Sequence, residues 1–190
     1  GRDTLTAIDR EARELQGKAN AAIGAALFPD RPEAERWEIM MGKEALFRQL
    51  ASEGIEPVHR LFELLDWAEA EGVPVVAVTN APRPNAELLL DAIKVRHRFP
   101  HVVIGDELAQ SKPHPLPYLE GLRLLGAHAA NSVAFEDSRT GIASAVATGI
   151  TTVGMATGLE PEELVKAGAT IGVRDYADAG ALELVKRTLL

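Results

Sequence analysis

The residues best suited to chemistry in this chain lie where apolar runs end. Residues 132–149, SVAFEDSRTGIASAVATG, pass from a short apolar run into two adjacent carboxylates, Glu136 and Asp137. An Ala-rich segment then stops at Gly149. Adjacent carboxylates repel each other, so a site that keeps both ionised usually supplies a cation. The same residues also suit a plain helix N-cap, for which Asp and Ser are favoured. A second run, residues 73–78, ends in Thr79-Asn80-Ala81-Pro82-Arg83. Between the two lies Ser111-Lys112-Pro113-His114-Pro115, a Lys whose loop is fixed by two prolines. A hydroxyl, backbone N–H groups and a Lys are what a phosphoryl group requires: donors for its oxygens and an ammonium against its charge. A carboxylate pair beside them suits Mg²⁺, a hard cation that takes oxygen ligands.

These groups meet only if the elements carrying them are parallel strands. From residue 57 onward, short apolar runs at 73–78, 101–104, 132–135, 151–155 and 170–173 alternate with helical patterns. That alternation predicts a parallel sheet covered on both faces, an α/β, Rossmann-like core. Right-handed crossovers place every strand's C-terminal end at one edge. Ligands of open α/β sheets bind at that edge. Residues 1–56 read as helix throughout, with a break at Phe28-Pro29-Asp30-Arg31-Pro32. Ile8, Ala12 and Leu15 form one apolar stripe, and Trp37, Met40, Met41, Leu46, Phe47 and Leu50 another. The second stripe is expected in the core or as one wall of a cleft. A helical unit of residues 1–56 followed by an α/β unit of residues 57–190 is the expected organisation.

Composition narrows the function classes. The 190 residues are 46% apolar and 25% charged, enough to bury a core, and the net charge is −8 with both signs mixed. No basic run points to nucleic acid or an anionic membrane surface. There is no Cys, so thiolate metal sites and Cys nucleophiles are excluded. No apolar stretch approaches the ~18 residues of a spanning helix. A cytoplasmic protein, a monomer acting on a small molecule, is the expectation. The five His residues show no metal-ligand spacing, and only His114, beside Lys112, bears on the site.

VVAVTN at 75–80, Lys112 within SKPHPLPYL, and FEDSRTGIASAVATG together resemble the second, third and fourth motifs of the haloacid dehalogenase (HAD) superfamily, in order and spacing. The likeness is greatest to its branch of phosphoglycolate phosphatase and β-phosphoglucomutase. It covers residues 57–157 well, and residues 1–56 resemble more loosely that branch's α-helical cap. The resemblance implies a Mg²⁺-dependent phosphatase of a small phosphorylated metabolite, working through an aspartyl-phosphate. It assigns Thr79, Asn80, Ala81, Arg83 and Lys112 to the phosphoryl group, with Thr79 and Lys112 catalytic, and Glu136 and Asp137 to Mg²⁺.

The superfamily's first motif, an apolar strand ending in Asp-x-Asp, has no counterpart in this sequence. Gly1-Arg2-Asp3-Thr4-Leu5 reads instead as the start of a cap helix, with Arg2 a candidate substrate contact. In the family that strand lies between those ending at Thr79 and Glu136. Without it the two would stand about 10 Å apart, two inter-strand spacings, with unpaired backbone between them. The nucleophilic Asp is accordingly expected outside this sequence, in a longer parent protein. A phosphomutase of the β-phosphoglucomutase type and a catalytically inactive HAD-like binding domain are the alternatives. A phospho-receiver domain, which also combines acids and a Lys, fits the order of the motifs less well.

Overall fold

A computed structural model describes residues 15–190. The expectations for Arg2, for the helix start at residues 1–5 and for Ile8 and Ala12 fall outside the described residues.

Among the described residues, α1 (Asn20–Leu27) and α2 (Glu33–Ala51) precede the α/β part, separated by the predicted Pro-Asp break. They pack through Gly24 of α1, which sits against Arg36 and Met40 of α2. The expected apolar stripe of α2 is buried only at Met40, 3% exposed; Trp37, Leu46 and Leu50 are exposed at 51%, 55% and 57%. Phe47, 40% exposed, lines a cleft. The reason is layering: α2 has one face on α1 and a short contact with the core, too little to cover a stripe that wide.

The α/β part follows in the expected order: α3 (Leu61–Ala70), β1 (Val76–Thr79), α4 (Arg83–Ala92), β2 (His101–Ile104), α5 (Leu116–Leu125), β3 (Val133–Glu136), α6 (Arg139–Val146), β4 (Thr151–Met155), α7 (Pro161–Lys166), β5 (Ile171–Val173) and α8 (Ala179–Leu189). β1 begins at Val76 rather than Val73, because Pro74 carries no N–H for a ladder. α4 begins at Arg83, with Pro84 in its first turn, where its missing N–H costs nothing.

Every recorded strand pair is parallel, in two groups. β1 pairs with β2, Thr79 opposite Ile104. β3, β4 and β5 pair in that order, Phe135 opposite Val153 and Met155 opposite Val173. Among the described residues β1 and β3 do not pair with each other. Residues of both edges, Val76, Val78, Val133 and Phe135, line an apolar cavity of about 410 Å³. All four residues of β1 are only half-buried, whereas β4, bonded on both sides, buries four of its five. The tightest core accordingly gathers around β4, where Val153, Ile142, Ala145 and Leu164 are each 0% exposed. This parallel arrangement sets the C-terminal ends of β1 and β3 at one edge. No helix among the described residues is long and apolar enough to cross a membrane.

Candidate active site

Thr79, Asn80 and Ala81 after β1, Lys112 before α5, and Glu136 and Asp137 at the end of β3 line one cleft of about 830 Å³. The opposite wall comes from the helical part, through Gln16, Lys18, Asn20, Lys43 and Phe47.

Lys112 is the centre of the core-side wall. It is 7% exposed, and its Nζ donates to Glu136 Oε1 and to the Val78 carbonyl at 2.8 Å. The ammonium also lies 5.1 Å from the centroid of the Tyr118 ring. Tyr118 Oη donates to the same Glu136 oxygen at 2.5 Å. Burial first, and the Glu136 charge second, push the Tyr118 hydroxyl well above its ordinary value, so it stays neutral and must be the donor. Glu136, 6% exposed, thereby receives two donors on one oxygen. Its other oxygen packs on Gly141, where any Cβ would overlap the carboxylate. An ammonium has three protons and Lys112 commits two, which leaves one N–H for a ligand in the cleft.

Of the expected metal pair, Glu136 engages Lys112 and Tyr118 through one oxygen, and Asp137 presents an exposed carboxylate. Asp137 is exposed, and among the described residues its Oδ2 has Thr157 Oγ1 at 3.3 Å and Gln16 Nε2 at 3.5 Å. No group of three or more His, Asp or Glu able to hold a metal occurs among the described residues. Those residues by themselves do not complete a Mg²⁺ shell.

The phosphate set is also redistributed. The Thr79 hydroxyl accepts from the Ala81 N–H at 3.0 Å, so that N–H is not turned to the cleft, and the hydroxyl keeps its own proton to donate. Asn80 works as a fastener: its amide accepts from Lys112 N at 3.1 Å and donates to Lys112 O at 3.0 Å and Gly17 O at 2.8 Å. It thus pins the Lys112 loop to the strand end. Arg83 does not reach the site. Its guanidinium makes a two-pronged pair with Glu107, at 2.7 and 2.5 Å, and contacts Glu87 at 3.4 Å. Glu107 raises the Arg83 pKa and is itself held below its usual range. Ser138 caps α6 by accepting from Gly141 N at 3.1 Å, so helix cap and acidic site coexist in one turn. His114 Nδ1 accepts from Leu116 N at 3.1 Å and steadies the start of α5.

Several contributors were not singled out in the sequence. Tyr118 reads there as one more apolar residue of α5; its signal was a hydroxyl where Leu would serve. Asn85, 1% exposed, joins the two walls: it accepts from Arg48 Nη1 at 2.7 Å and donates to Glu44 of α2, which also pairs with Lys43 at 2.5 Å. Gly17 passes so close to Ser138 and Thr140 that no side chain fits, and its φ of +76° suits glycine.

The chain is similar to several known proteins. The chain is 42% identical to protein CbbY of Rhodobacter capsulatus over 94 residues, 48% of this chain and 41% of that protein. It is 28% identical to phosphoglycolate phosphatase of Escherichia coli over 156 residues, 81% of this chain and 62% of that one. It thus spans less than two thirds of these relatives' length. A solved structure of CbbY from Rhodobacter sphaeroides, in complex with xylulose-(1,5)bisphosphate, superposes with a TM-score of 0.76 at 26% identity, covering 90% of this chain and 80% of that one. β-Phosphoglucomutase of Clostridium difficile shares the fold, with a TM-score of 0.79 at 16% identity over 92% and 80% of the two chains. The family model for haloacid dehalogenase-like hydrolases matches residues 9–155, and the chain belongs to that family.

Proposed function

We propose that this chain belongs to a phosphoric monoester hydrolase acting on a small phosphorylated metabolite. The observation that carries the reading is the convergence of the Thr79 hydroxyl, the third N–H of Lys112 and the Asp137 carboxylate in one cleft at the strand ends. The relatives support the substrate class, being named for phosphoglycolate or bound to a sugar bisphosphate.

Thr79 and Lys112 grip the phosphoryl oxygens and offset charge that grows there as the ester bond breaks. The Glu136–Tyr118 pair fixes the ammonium so that no reorganisation accompanies the reaction. The attacking Asp of the superfamily mechanism is assigned to residues outside those described, and so are the further donors that Mg²⁺ would need. Asp137 is the carboxylate this chain would contribute to that ion, which offsets phosphate charge when bound.

The natural-length protein is expected to hydrolyse p-nitrophenyl phosphate with Mg²⁺ and to stop in EDTA. Asp137→Asn should raise the Mg²⁺ concentration needed for half-maximal rate by about tenfold or more. Normal Mg²⁺ response in that variant would refute the metal assignment. Absence of any phosphatase turnover in the natural-length protein would favour a binding domain instead.

A further inference from the structure

Asp137 has a neighbour that the phosphoryl grip does not use. Thr157 stands just past the C-terminal end of β4, and its Oγ1 donates to Asp137 Oδ2 at 3.3 Å. The β3–β4 ladder brings the two together: Glu136 pairs with Gly154, so the segments after both strands leave the sheet side by side. The support beneath Thr157 is stiff. Gly154 packs so closely on Leu164 that a Cβ would overlap it, Met155 is buried, and Ala156 N donates to Val173 O of β5 at 2.7 Å. Thr157 N donates to Met155 O at 2.9 Å, which turns the chain there. Thr157 is exposed, and the N-cap of the following helix, α7, is Glu160. Its hydroxyl therefore has no task in the fold, and its β-branched side chain confines that hydroxyl to few rotamers. Gln16 Nε2 approaches the same Oδ2 at 3.5 Å from the opposite wall. Both donors fall on Oδ2, and among the described residues Oδ1 receives none. A carboxylate steadied through one oxygen and unengaged at the other suits a hard cation, which takes oxygen ligands.

We propose that Thr157 is a positioning residue for the candidate cation site: its hydroxyl holds Asp137 by Oδ2 and reserves Oδ1 for the ion, so Thr157 sets part of the Mg²⁺ affinity without touching metal or phosphate. This rests on the Mg²⁺-dependent phosphatase reading. Hydrogen-bond partners one step outside a metal's own ligands orient those ligands and tune affinity. Thr157 follows a strand paired with the one that carries Asp137, whereas Gln16 reaches in from the helical part, so the orientation is supplied from within the core.

The test is Mn²⁺ binding to the natural-length protein with no phosphate ligand present, read from the EPR signal of the free ion. Mg²⁺ serves as competitor, since both ions favour carboxylate oxygens. Thr157→Val keeps the shape and removes the donor, and should raise the Mn²⁺ Kd about tenfold or more, as loss of an outer partner does. Thr157→Ser restores the hydroxyl and should stay close to the wild-type Kd. Asp137→Asn should bind at least as weakly as Thr157→Val. Adding Thr157→Val to it should cost nothing more, because the hydroxyl acts through the carboxylate. Melting temperatures of the metal-free Thr157 variants should match the wild type, since the position is exposed. A wild-type Kd in Thr157→Val, an equal loss in Thr157→Ser, a further loss on top of Asp137→Asn, or a loss that tracks a lowered melting temperature each overturns the role of Thr157 and leaves the phosphatase reading standing. A wild-type Kd in Asp137→Asn, or no Mn²⁺ binding by the wild type, overturns the cation assignment and Thr157 with it.

Discussion

Glu136 holds together three side chains whose separate removal should have different consequences. Lys112→Met leaves a carboxylate buried without its cation, which costs about 3–5 kcal/mol. Adding Glu136→Gln to that variant should restore much of the loss, as urea unfolding would measure. Tyr118→Phe removes one donor and leaves the ion pair, so about 1–3 kcal/mol is expected, with kcat falling as Lys112 loses its fixed position. If Tyr118→Phe matches the wild type in both stability and rate, the neutral tyrosine does not hold the carboxylate. The acids and the Lys were legible in the sequence because strand order alone brings them to one edge. The commitment of Glu136 to Lys112 was not, since it depends on which way Tyr118 turns within α5.

At the scale of elements, Arg83 ties the start of α4 to the turn after β2 rather than to a ligand. Glu107 has its pKa lowered, chiefly by the hydrogen bond from Arg83. The stabilisation from a lowered carboxylate pKa is fully present above the unfolded value and is lost as pH falls through the folded one. Both side chains are more than a third exposed, so solvent screening limits the effect to about 1 kcal/mol at most. Glu107→Gln should therefore lower the melting temperature slightly at pH 7, with the deficit shrinking as pH falls and Glu107 becomes protonated. A deficit that persists undiminished at pH 3 would contradict the ion pair. Arg83 beside Thr79 looks like a phosphate ligand in the sequence; the competing Glu107, 24 residues away, is brought near only by β1–β2 pairing.

Across the whole molecule, polar contacts among the described residues help seat the helical part on the core. Arg48, Glu44 and Asn85 lie in a buried cluster between α2 and α4. Asn85→Ala should strand both partners, and hydrogen exchange is expected to quicken along Glu33–Ala51 while β4 stays protected. Uniform acceleration in both would mean that the two parts open only together. The layered order of helical part and parallel sheet could be read from periodicity, because apolar spacing records burial. The docking could not, since it runs through residues that look like ordinary surface polars of α2. The exposed Trp37 and Leu50 mark the same limit: a helical stripe says which face is apolar, not how much of it is covered.

The claim underlying all of this is that Thr79 and Lys112 grip a phosphoryl group. It is tested most directly by kcat/KM for p-nitrophenyl phosphate in the natural-length protein and in Thr79→Ala and Lys112→Ala, below the melting temperature of each. Loss of one preorganised donor predicts a fall of about 10²–10³-fold in each variant. Wild-type turnover in folded forms of both would contradict the account.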